Sequence, residues 1–182
     1  LKAGPDYVTP DHAVQKACLE AFESVTGESS PGFGIDGCSA PNFATTLHGM
    51  ARAMAFFAAA EEGSGVRASA AARLTKAMRL HPELVAGEGR ACTELMRAME
   101  GRVALKTGAE AFFIAIIPEK KLGVALKVVD GGTRGAEAAI TAILVQLGLL
   151  DAAHPAARKR LNAPIRNWNG IETGMIRPGA AF

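Results

Sequence analysis

"RVALKTGAEAFFIAIIPEKKLGVALKVVD", residues 102–130, reads as three short β-type runs in succession. "RVALKTG", "AFFIAII" and "LGVALKVVD" are rich in aliphatic and aromatic residues, and each is too short for a stable helix. "PEKKLG" separates the second run from the third and has the composition of a hairpin loop. The middle run is apolar on both faces, which predicts a strand buried on both sides. Short connections between such runs give an antiparallel meander. The period then changes. In "GGTRGAEAAITAILVQLG" (131–148), Ala136, Ala139, Ile140, Ile143, Leu144 and Leu147 fall on one helical stripe. Thr133 is placed to cap that helix and Gly148 to end it. Its stripe should lie on the sheet.

Upstream, the apolar spacing is helical. "TPDHAVQKACLEAFESVTG" (9–27) predicts a helix capped by Thr9, with Pro10 in its first turn and Cys18 on its apolar stripe. "ESSPGFGIDGCSAP" (28–41) reads as a loop. "NFATTLHGMARAMAFFAAAEEG" (42–63) predicts a second helix, capped by Ser39 or Asn42. Phe43, Leu47, Met50, Met54 and Phe57 form its buried face. A third helix spans Val66 to Leu80, and "HPELVAGEGRACTELMRAMEG" (81–101) gives a turn and a short helix. The tail "NAPIRNWNGIETGMIRPGAAF" (162–182) is extended, with a last strand around Ile171 to Ile176. Helices first, then a small antiparallel sheet with a packing helix, define an α+β fold over a single domain, residues 1–182.

Composition narrows the partners. Of the 182 residues, 20 are basic and 18 acidic, for a net charge of +2. Such a balance argues against nucleic acid or an anionic membrane surface as partner. "ARKR" (157–160) reads as a solvated helix face. The apolar run Ala138 to Leu150 has 13 residues, short of the ~20 that span a bilayer. Cys18, Cys38 and Cys92 form no CxxC pair, so a self-contained zinc site or disulfide framework is not expected, and a reducing, cytoplasmic setting is. The chain opens "LKAGPDY" without Met, which suggests a piece of a longer polypeptide.

Two stretches carry chemistry. Lys106, Thr107 and Gly108 form a Lys-Thr-Gly on a predicted strand, as in serine acyl-transfer enzymes. There the ammonium supplies positive potential, the hydroxyl a donor, and glycine close approach. The second stretch is the turn "GIDGCSAP", where a lone cysteine such as Cys38 is more often packing, and a thiol and carboxylate two residues apart, Cys38 and Asp36, are the alternative reading as a site. The nucleophile is missing. No serine is followed three residues later by lysine, there is no G-x-S-x-G elbow, and His12, His48, His81 and His154 form no metal motif.

"DYVTPDHAVQKA" (6–17), "GIDGCSAPNFATTLHGMARAMA" (34–55), "HPELVAGEGRACTELM" (81–96), "ALKTGAEAFFIAII" (104–117), "GVALKVVDGGTRG" (123–135) and "NWNGIETGMIRP" (167–178) occur in an order that resembles the asparaginase II family, the Rhizobium-type L-asparaginases. The resemblance covers essentially the whole chain. It implies part of a serine β-lactamase-like fold, a homodimer, and hydrolysis of L-asparagine to L-aspartate and ammonia. It also implies that this chain is the C-terminal half of a larger catalytic domain. The family's S-x-x-K pair, and a C-S-G-K segment giving zinc a Cys and a Lys, belong to the N-terminal half and are not in this sequence. By position, Cys38 matches a zinc ligand, Asp36 an acid facing the substrate ammonium, and Lys106 the cleft-lining catalytic lysine. Cys92 stands where the family commonly has Asp. As a sole ligand, Cys38 should not hold zinc tightly. Two other readings are a non-catalytic module for amino-acid binding or dimerisation, and an amidohydrolase for another amide such as glutamine.

Overall fold

Alternation along 104–127 gives the predicted meander. The computed structural model describes residues 4–179. Strands β3 (Ala104–Thr107), β4 (Phe112–Ile117) and β5 (Leu122–Lys127) pair antiparallel in the order β3-β4-β5, with Lys106 opposite Ile114 and Ile114 opposite Ala125. β4 is the divider between two cores. Phe113, Ala115 and Ile117 pack with Leu95 and Met96 of α5 (Ala91–Ala98) and with Ile140 and Leu144 of α6 (Thr133–Gln146). Ile116, on the other face, packs with Ala53, Met54 and Ala58 of α2 (Leu47–Ala59). The middle run is therefore buried on both sides, as its composition predicts, and the mixed architecture is α+β.

Close packing of α2 on β5 depends on one glycine. A Cβ at Gly123 would lie 2.2 Å from the carbonyl oxygen of Ala51 and 2.2 Å from the nitrogen of Ala55. Helix and strand backbones are thus in direct contact, which no larger residue permits. α3 (Val66–Leu80) has the predicted bounds. α4 (Pro82–Ala86) and α5 account for the short helical segment before the sheet.

Helix starts depart from the sequence expectation. α1 (Ala13–Thr26) begins later than expected, because His12 is its cap and its Nδ1 accepts the Val14 N–H at 3.2 Å. Thr9 turns back instead, donating its hydroxyl to the Asp6 carbonyl. The α1 stripe is also rotated. Gln15 is buried and donates to the Tyr7 carbonyl at 2.8 Å, while Cys18, expected in the core, is exposed. α2 is capped by Thr46, not by Ser39 or Asn42, and Leu47 is exposed. α6 begins at Thr133 with Gly132 as its cap residue, so Thr133 is not the cap.

Two hairpins were not anticipated. β1 (Phe33–Ile35) pairs antiparallel with β2 (Pro41–Phe43), inside the segment read as loop and helix start. β6 (Ala163–Arg166) pairs with β7 (Glu172–Ile176), where only the last strand was expected, and Trp168 in the connection is fully exposed. The "ARKR" reading also needs correction. α7 (Pro155–Arg158) leads to Arg160, which is buried and reaches Glu94 at 2.6 Å and Glu137 at 3.3 Å. It ties α7, α5 and α6 together, whereas Arg158 and Lys159 are exposed as expected of a solvated face.

Candidate functional site

The turn of the β1–β2 hairpin is built from "IDGCSA". The Asp36 N–H donates to the Ala40 carbonyl at 2.9 Å and the Ser39 N–H to the Asp36 carbonyl at 2.8 Å. Ser39 takes a left-handed φ of 70° to close it. One Asp36 oxygen accepts the Gly37 N–H at 2.6 Å, and the other lies 3.8 Å from the Cys38 thiol. The hairpin stands on α1 through Phe43, whose ring is 6.0 Å from that of Phe22 and 6.2 Å from that of Phe33. Glu28 anchors its exit. Its carboxylate accepts the Thr45 hydroxyl at 2.8 Å, the Thr46 hydroxyl at 2.6 Å and the Thr46 N–H at 3.1 Å. These bonds, the Thr46 hydroxyl first, hold the Glu28 carboxyl below its ordinary pKa.

Across from this lip stands the end of β3. Lys106 is exposed and donates to the Thr107 carbonyl. Behind it, α5 supplies two sulfur acceptors one helical turn apart. Cys92 Sγ accepts the Thr107 N–H at 3.2 Å, and Met96 Sδ accepts the Leu105 N–H at 3.3 Å. Cys92 has no exposed surface. Burial pushes its thiol pKa up, against the Thr107 hydrogen bond and the nearby charges of Lys106 and Arg90. It is an inert packing thiol rather than a nucleophile.

Lip and strand enclose an open groove of about 1090 Å³. Asp36 and Gly37 line one side and Lys106, Thr107 and Gly108 the other; Arg90, Glu110 and Lys127 also belong to the lining. The structure thus brings together two of the three sequence-predicted residues, Asp36 and Lys106. Cys38 shares the Asp36 turn but is not part of the groove lining. Arg90, the N-cap residue of α5, was not singled out from the sequence as a site residue. Its signal was the run "GEGR", an arginine held by glycines immediately before a helix.

Zinc was tested against the donors present. Cys38 and Asp36 offer two side chains, whereas zinc takes four ligands. Among the described residues no group of three or more His, Cys, Asp or Glu side chains is placed to hold a metal. The described residues do not by themselves fit the ion. Of the hydroxyls lining the groove, those of Thr45 and Thr46 donate to the Glu28 carboxylate and that of Thr107 to backbone carbonyls. No helix among the described residues is long and apolar enough to cross a membrane.

No curated protein matches the chain significantly. The family model described as L-asparaginase II matches residues 3–178, nearly the whole length. The β1–β2 turn, the Lys-Thr-Gly strand and the groove between them all fall within that match, and the chain belongs to the L-asparaginase II family.

Proposed function

We propose that this chain is the substrate-recognition part of an amidohydrolase acting on L-asparagine. The observation that carries this reading is that Asp36 and Lys106, seventy residues apart in a chain of this family, line one groove. Asp36 presents a carboxylate to the α-ammonium of an amino acid. Lys106 supplies positive potential beside the reacting amide, which stabilises oxygen as it gains charge. In a serine acyl-enzyme route, a hydroxyl attacks the side-chain amide carbon and the C–N bond breaks. Ammonia leaves with the transferred proton, and water then cleaves the ester to give L-aspartate.

The nucleophile, on this reading, comes from an N-terminal half outside this sequence. One observation supports that: no S-x-x-K pair occurs in this sequence. The outer edge of β5 has no strand beside it among the described residues, which suits a sheet completed by another segment, as in the serine β-lactamase-like fold. Cys38 would be one zinc ligand, with the remaining donors on the same absent segment. A homodimer in the cytoplasm completes the proposal.

The lack of an S-x-x-K pair in this sequence also favours a second reading, an amino-acid-binding or dimerisation module without catalysis. A third reading is an amidohydrolase for another amide such as glutamine, whose side chain is one methylene longer. Ammonia release from L-asparagine separates these readings. The 182-residue chain alone should release none above background. Activity should return when it is paired with a segment carrying S-x-x-K, and size-exclusion chromatography with light scattering reads the dimer. Ammonia release by the chain alone would overturn the placement of the nucleophile.

A further inference from the structure

The groove is polarised, and one of its cations has no partner. Asp36 lies on the lip, while Arg90 and Lys106 lie on the opposite wall. Both cations line the same groove, next to the strand end that carries Thr107 and Gly108. Lys106 already donates to the Thr107 carbonyl, and Lys127 to the Glu110 carbonyl. Arg90 makes no side-chain hydrogen bond or ion pair among the described residues.

The reason lies in where its neighbouring acids point. Glu88 and Glu83 both pair with Arg97, at 2.7 and 3.5 Å. Glu94, one turn along α5, is held by Lys159 at 2.7 Å and Arg160 at 2.6 Å. Glu88 and Glu94, the acids within six residues of Arg90, are thus committed elsewhere, and Glu110 of the groove lining pairs with Lys127 at 3.6 Å, so the exposed Arg90 side chain lines the groove without a bonded counter-charge among the described residues. Two cations lining one groove repel unless an anion sits between them. A guanidinium is suited to a carboxylate because its fork matches both oxygens.

The geometry points to Arg90 as the residue that binds the substrate's α-carboxylate, making the groove selective for an α-amino acid over a simple amide. This rests on the asparagine reading above and deepens it. Asp36 takes the ammonium and Arg90 the carboxylate, so the zwitterion lies across the groove and its side-chain amide is directed towards Lys106. No bond is made or broken by Arg90; its contribution is binding and orientation.

Isothermal titration of the full chain with three probes tests this. L-asparagine carries both charges, succinamate keeps the carboxylate without the ammonium, and L-asparaginamide keeps the ammonium without the carboxylate. Replacing Arg90 by Ala or Gln should weaken L-asparagine and succinamate about tenfold or more, the scale of one lost charge-assisted contact. L-asparaginamide should bind as to wild type, and Arg90→Lys should fall between. Thermal melts of both neutral variants establish that the fold is intact. Unchanged affinity for L-asparagine in both neutral variants would overturn the role of Arg90 while leaving the asparagine reading standing. So would equal weakening of all three probes. A wild-type chain that binds none of the three would overturn both.

Discussion

The two walls of the groove are made differently. The Lys106 wall rests on the main core: Leu105 and Phe113 have no exposed surface, and sulfur atoms on α5 take up the outward N–H groups of β3. The Asp36 wall is a hairpin of two three-residue strands in which residues 31–39 are all exposed. It is held at its base by Phe22, Phe43 and Glu28. A fixed strand thus faces a lip with few buried contacts, and local opening concentrates where such contacts are few. Lys106 is in place before any ligand arrives, whereas Asp36 depends on what stands against the lip.

The largest effect should come from the joint between the two. α2 carries the lip's exit at its N-terminus and lies on β5 through Gly123. Gly123→Ala drives a methyl group into the α2 backbone, and denaturant unfolding should show a loss of about 3 kcal/mol, the upper end of overpacking costs. If the loss is negligible, lip and sheet are not joined as described. Glu28 tests the base of the lip next. Its carboxyl is depressed in the folded state below the ordinary 4.5. Its stabilising contribution is therefore complete above about pH 4.5 and is lost as pH falls through the folded value. Melting temperature should drop on acidification, and Glu28→Gln should lower it at pH 7 and flatten that part of the acid slope. The smallest effect belongs to the tip. Cys38→Ser is an exposed change that should move stability by no more than about 0.5 kcal/mol. A larger loss would mean that the tip is packed in solution.

The same contrast governed what could be read in advance. The meander and α6 announce themselves by sustained period, because each buries a continuous face; α3, which buries only Ala71 and Thr75, is legible from its Ala-rich composition. The β1–β2 hairpin was hidden: "FGI" and "PNF" hold a glycine and a proline and are three residues long, so they give no strand signal. Phe43 sits at helical spacing from Leu47 and extended the predicted α2 backwards, when Thr46 in fact starts it. Arg160 was misread because its partners, Glu94 and Glu137, are far away in sequence and meet it only through tertiary packing. Of the site, the Lys-Thr-Gly was visible as a motif, and Asp36 and Cys38 entered through family resemblance. For Arg90 the run "GEGR" was a weak signal, since the absence of a side-chain partner is a property of the folded surroundings.

The sulfur acceptors behind β3 have a consequence for assembly. Strand edges grow by offering unpaired N–H groups to another chain. With Leu105 and Thr107 donating to Met96 and Cys92, the Lys106 edge has no outward N–H to offer there. A peptide, an unfolded neighbour or a second subunit therefore finds no template on the substrate side of the sheet. The edge left open to an added strand is that of β5, whose last residue, Lys127, also reaches the groove, so a strand docking there would touch the groove at its end.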